Sequence, residues 1–110
     1  MRIAIPISGE WIAPVFDDAT RLLIVDITPD RKVEHSELPS FVRPPDQRAT
    51  ELASLGVNVL LCDDISDRSA EFIAEKGIEI KLSVHRAVAD IMSYLGEISP
   101  LMIRQPLPTM

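Results

Sequence analysis

This chain has a single cysteine, Cys62, among its 110 residues. No internal disulfide can form, and nothing asks for an oxidising compartment, so the expected location is the cytoplasm. Basic residues are few: 11 Lys and Arg stand against 17 Asp and Glu, a net charge of −6 with His neutral. They are also spread thinly, which excludes the clustered cations that phosphate backbones need and argues against nucleic acid as a partner. No apolar run approaches the roughly 18 residues that would span a bilayer, and the short run from Met1 to Pro6 is no signal peptide, so no membrane association is expected. The four glycines form no phosphate-binding loop, and neither a paired CxxC nor a Ser/His/Asp spacing occurs; nucleotide, zinc and nucleophilic readings have no motif. What is present is 46% apolar residues, enough for one core in a chain of this length.

The apolar pattern predicts alternating elements. Arg2 to Ile7 reads as a buried strand that Pro6 closes, and a loop from Ser8 to about Thr20 leads to a second strand, Leu22–Ile27. Thr28-Pro29-Asp30 turns the chain into a more polar third strand, Lys32–Ser36, making a hairpin. Leu38 to Pro45 is a proline-marked loop. A helix over 46–55 follows, with Asp46 as N-cap and Gly56 at C′, then a strand at 57–62. Ser66 caps a second helix over 67–76 that stops at Gly77, and 78–82 alternates as a half-buried strand. Ser83 is read as the cap of a third helix over 84–95, whose stripe is Val84, Ala87, Val88, Ile91, Met92 and Leu95. Pro100, Pro106 and Pro108 forbid a helix thereafter, which divides the chain into a domain at 1–96 and a tail at 97–110.

The order βββαβαβα predicts an α/β fold with a mixed five-stranded sheet of order 3-2-1-4-5, strand 2 antiparallel. Ligands of open α/β sheets lie beyond the carboxyl ends of parallel strands, so the loops at 8–20, 62–68 and 83–86 are expected to share one rim.

The stretches Ile3-Ala4-Ile5-Pro6, Ile12-Ala13-Pro14-Val15-Phe16, Leu23-Ile24-Val25-Asp26, Leu52 to Leu60 and Glu75-Lys76-Gly77-Ile78-Glu79-Ile80 resemble the dinitrogenase iron-molybdenum cofactor biosynthesis domain, over about residues 1 to 96. The resemblance implies a ribonuclease H-like three-layer fold. It also implies a nitrogenase accessory factor-like role, non-catalytic binding or carriage of the iron-molybdenum cofactor or an iron-sulfur cluster precursor. Family members often have a Ser-Pro-His-Phe-Gly-like loop where this chain has Ala13-Pro14-Val15-Phe16-Asp17.

Three residues on the expected rim have the chemistry for such a ligand. Cys62 ends an apolar strand where a thiolate could ligate soft metal, and a small buried hydrophobe is its other reading. His85, at the expected helix start, is expected to be kept as the neutral imidazole that a metal needs, a surface histidine without function being its other reading, and Arg86 beside it would add charge for an anionic ligand. His35 is read as solvated and Trp11 as a cover over the core or an interface anchor. Asp17, Asp18, Asp63, Asp64 and Asp67 could hold Mg²⁺ for phosphoryl chemistry or cap loops and helices. Two classes of function lead: a non-catalytic binder of a metal cluster or small anionic ligand, and a protein–protein interaction domain without that ligand. A Mg-dependent enzyme ranks third. Leu101-Met102-Ile103 would be awkward in water, so the tail is expected to lie extended across its own domain or a second copy's, the latter giving a homodimer.

Overall fold

The computed structural model describes residues 1–83 and 86–97. Its strands are β1 (Arg2–Ser8), β2 (Trp11–Ile12), β3 (Arg21–Ile27), β4 (Val33–Pro39), β5 (Val59–Cys62) and β6 (Glu79–Leu82); its helices are α1 (Pro45–Ser54), α2 (Asp67–Glu75) and α3 (Val88–Glu97). The sheet runs β4-β3-β1-β5-β6, with β2 pairing on β1. β3 is antiparallel to both its neighbours and β2 is antiparallel to β1, whereas β1, β5 and β6 are parallel.

The central strands are apolar over most of their length, at 3–7 in β1, 22–25 in β3 and throughout β5, because both their faces are buried there. Ile3, Ile5, Ile7, Leu23, Val25, Val59 and Leu61 join Ile91 and Leu95 of α3 in one cluster. Ala4, Leu22, Ile24, Leu60 and Cys62 join Ala49 and Leu52 of α1 and Ile73 of α2 in the other. The period of two along each strand thus divides its side chains between two layers of helix. Edge strand β4 contributes only Val33 to the first cluster and Leu38 to the second; His35 lies exposed on it.

Pro6 does not close the first strand. It sits inside β1, opposite Leu22, and its carbonyl accepts from the Ala13 N–H at 2.8 Å, on the side away from β3. A strand residue directs its N–H and C=O to the same side, and parallel pairing with β5 covers only Ile3 and Ala4, so the missing N–H removes no ladder bond.

Helix boundaries follow local chemistry in two cases and long-range pairing in a third. Ser66 caps α2, its hydroxyl accepting from the Ser69 N–H, and Gly56 and Gly77 take φ of +74° and +78° directly after the C-caps of α1 and α2. Asp46 is not the N-cap of α1. Pro44 holds that place, kept extended at ψ 147° by the proline that follows it, and Pro45 opens the helix with Asp46 in its first turn. α3 starts at Val88 rather than 84, and continues through Gly96 to Glu97. Arg86 and Ala87 are committed elsewhere: the Arg86 carbonyl accepts from the Ile12 N–H at 2.7 Å, and Ala87 bridges to Trp11. Ser83 likewise extends the β5–β6 pairing, donating its N–H to the Cys62 carbonyl, and α3 begins only at Val88. Val84, His85 and the expected tail from residue 98 lie outside the described residues.

Candidate functional site

The loops expected at one rim do meet there, through backbone hydrogen bonds. The Phe16 N–H donates to the Asp64 carbonyl at 2.8 Å, Val15 bridges to Asp64, and the Val88 N–H donates to the Glu10 carbonyl at 2.9 Å. The segment 8–20 is therefore not an open loop. It contains β2 and a 3₁₀ turn, Phe16–Asp18, and fastens the carboxyl end of β1 to those of β5 and β6.

Two charged side chains organise this rim. Asp17 accepts from the Ser66 N–H at 2.9 Å, the Ser66 hydroxyl at 2.7 Å and the Ser69 hydroxyl, so both carboxylate oxygens are used at the start of α2. Desolvation raises the Asp17 pKa, but the hydrogen bonds from Ser69 and Ser66 outweigh it and hold the carboxyl below its ordinary value. Arg48, 2% exposed, stacks on Phe16 with its guanidinium carbon 4.4 Å from the ring centroid. It donates to the carbonyls of Phe16 and Asp17 at 3.0 and 3.1 Å and to the Ser40 hydroxyl at 3.0 Å, and Ser40 in turn donates to Glu51 at 2.6 Å. Burial lowers the Arg48 pKa, only partly offset by Glu51 and Asp17. Neither Arg48 nor Ser69 was singled out in the sequence. The signal was there, since Arg48 lies four residues before Leu52 on the buried stripe of α1 and Ser69 follows Ser66 at the capping spacing.

Cys62 is 0% exposed within the second core cluster. Burial, reinforced by Asp63, Asp64 and Asp17, pushes its thiol up to about 12, so it is a protonated core side chain near neutral pH. A ligating role for Cys62 draws no support from this placement. Arg86 is exposed, its backbone tied to Ile12. His85 lies outside the described residues. The acidic residues do not converge: Asp17 serves α2, and Asp64 accepts from its neighbour's Ile65 N–H. Among the described residues no group of three or more His, Cys, Asp or Glu side chains is placed to hold a metal ion. Trp11 is no cover over the core. Its partner in β2, Ile12, points inward, which leaves the indole 59% exposed.

At the carboxyl end of β1 the rim opens into a cleft of about 370 Å³, walled by Ser8, Gly9, Ala13, Pro14, Val15 and the segment Asp18–Arg21. Arg21 is its cation, paired at 3.3 Å with Glu37 on β4. Gly9, at φ +60°, lets the backbone turn sharply at the mouth. Such a cleft offers backbone polar groups and one exposed cation to a small ligand.

The family model for the dinitrogenase iron-molybdenum cofactor matches residues 1–95, and the chain belongs to that family. Three solved structures are similar. A protein of Methanocaldococcus jannaschii, provisionally described as a dinitrogenase, is 27% identical, with a TM-score of 0.69 and 88% of each chain covered. PH0822 is 20% identical at a TM-score of 0.77, covering 87% of this chain and 91% of its own. The apo form of the orange protein of Desulfovibrio gigas is 21% identical at 0.62, covering 90% of each. The last two show likeness of fold alone. No curated protein matches the chain. Among the described residues no helix is long and apolar enough to cross a membrane.

Proposed function

We propose that this chain is a non-catalytic cytoplasmic carrier whose cargo is an anionic metal–sulfur cluster, the iron-molybdenum cofactor or an iron-sulfur precursor of it, held at the rim of a ribonuclease H-like sheet. The observation that carries the reading is the family match over residues 1–95. The sheet order β4-β3-β1-β5-β6, with β3 against the direction of its neighbours, supports the fold assignment.

The rim supports carriage better than catalysis. Its two most constrained charged groups, Asp17 and Arg48, are spent on holding loops together, and an acid or base whose hydrogen bonds are all structural is poorly placed to exchange protons with a ligand. The proposed cargo site is the cleft at the end of β1, with Arg21 in its wall, and the exposed Arg86, whose backbone is tied to Ile12 beside the cleft residue Ala13, is the proposed second source of positive charge. His85 is the proposed source of one labile bond to the cluster, and sealed Cys62 takes no part. Asp18 stands on the same wall and opposes an anion, which weakens retention in a way that suits a carrier that must release.

The test is retention of isolated iron-molybdenum cofactor by the full chain under anaerobic gel filtration, read by molybdenum and iron analysis and by visible absorption. Co-elution of metal with the chain, reduced by His85→Ala or by Arg21→Glu with Arg86→Glu and unchanged by Cys62→Ala, is the expected result. Cofactor that elutes apart from the unmodified chain overturns the proposal.

A further inference from the structure

A second depression lies at the amino end of α3 and adjoins the proposed cargo cleft, with Gly9 lining both. Its volume is about 430 Å³, and Trp11, Ala87, Val88 and Ala89 give it apolar walls while Glu10 and Glu37 bring carboxylates to its edge. The indole stands open on this surface: Trp11 is 59% exposed among the described residues, although a large aromatic ring gains much from being covered. An aromatic platform with apolar walls and an acidic edge suits a short apolar segment that carries one cation, through contact on the ring and charge at the edge.

The chain contains one such segment. Residues 98–110 include Leu101-Met102-Ile103, followed by Arg104, the only charged residue in that stretch. Reach permits the match. α3 has ten residues, so its amino end lies about 15 Å from Glu97. Arg104 is seven residues beyond Glu97, and an extended chain covers about 3.3 Å per residue, or about 23 Å. The prolines at 100, 106 and 108 favour that extended form. A path back along α3 would also pass Tyr94 and Met92, both partly buried against the first core cluster.

We propose that the Leu101–Arg104 segment of the same chain docks on the Trp11 depression, with the apolar residues against the indole and Val88 and with Arg104 facing Glu10 and Glu37. Glu37 already pairs with Arg21 at the surface, so Arg104 adds to an exposed cluster in which both carboxylates keep access to water.

Trp11 is the only tryptophan, so its fluorescence reports on this surface alone. In the full chain the emission is expected to be shielded. Ile103→Asp should shift it to longer wavelength and raise the acrylamide quenching slope about twofold, as a ring covered over half its open area becomes accessible. Arg104→Glu should do the same to a smaller extent, and Glu10→Lys added to Arg104→Glu should restore the shielding. Circular dichroism verifies that each variant keeps its fold. Identical emission and quenching in the unmodified chain and Ile103→Asp overturns the proposal. Shielding that disappears on dilution of the unmodified chain, together with a larger particle at high concentration, also overturns it, because the segment then sits on a second copy.

Discussion

Removing the Asp17 carboxylate should loosen the rim without touching the core, and its cost can be worked from its partners. Asp17→Ala leaves the Ser66 N–H, the Ser66 hydroxyl and the Ser69 hydroxyl without their acceptor. Ser66 is exposed and can turn to water, whereas Ser69 is 1% exposed and cannot. Hydrogen bonds to a charged acceptor contribute about 1.5–3 kcal/mol each, but two of the three donors are solvated on one side, so the net loss is about 2 kcal/mol. For a domain of this size that lowers the melting temperature by about 8 °C. The loss must also depend on pH. The folded-state pKa of Asp17 lies below its unfolded value, so its contribution is fully present above the unfolded value of about 3.9 and disappears as pH falls through the folded value. Thermal melts of the unmodified chain and Asp17→Ala should therefore differ by a constant gap at neutral and mildly acidic pH, and the gap should close below about pH 4. Asp18→Ala, with an exposed side chain, serves as the control and should change stability by no more than about 0.5 kcal/mol. A gap as wide in strong acid as at neutrality, or equal effects of the two substitutions, would refute the account of Asp17.

Arg48→Met should cost about 3 kcal/mol in denaturant unfolding, because it strands the Phe16 and Asp17 carbonyls and Ser40, and Arg48→Lys should rescue little of it since one ammonium cannot replace the planar fork. Cys62 should resist Ellman's reagent in the folded chain at about pH 8 and react at once in guanidinium, as a buried thiol raised to about 12 requires; rapid labelling of the folded protein would contradict its burial. Gly56→Ala, forced to keep φ near +74°, should lower the denaturation midpoint by the equivalent of about 1 kcal/mol, whereas Gly96→Ala within α3 should be neutral or stabilising.

The central strands and two helix ends could be read from the sequence because their causes are local. Val59–Cys62 is apolar at every position because helices cover both its faces, and Gly56 and Gly77 mark helix ends through a backbone angle that other residues resist. Features fixed by distant pairing were read wrongly or not at all. Pro6 looked like a terminator, and only the absence of β5 opposite it makes it harmless. The stripe from Val84 suggested a helix starting there, but pairing of Arg86 and Ala87 with β2 takes those residues before a helix can. Asp46 has the right residue type for a cap and lost the place to a Pro-Pro pair whose stiffness decides the turn.

The same division runs through the site. The loops that meet at the rim were legible from topology, since parallel strands end together. The role of each polar residue was not, because it depends on which side of the rim it faces. Asp17 and Asp18 are adjacent and chemically identical, yet one carboxylate is absorbed by α2 and the other stands exposed in the cleft wall. Arg48 and Arg21 divide in the same way, one sealed against Phe16 and one open on the cleft. In each pair the inward member fixes the shape of the loop, and the outward member is the one that would set the charge met by the proposed cargo. Substitutions at Asp17 or Arg48 should therefore change stability and cofactor retention together, while those at Asp18 or Arg21 should move retention in opposite directions at unchanged stability. That separation follows from solvent access: an exposed charge contributes little to folding but acts at full strength on a ligand that displaces the water around it.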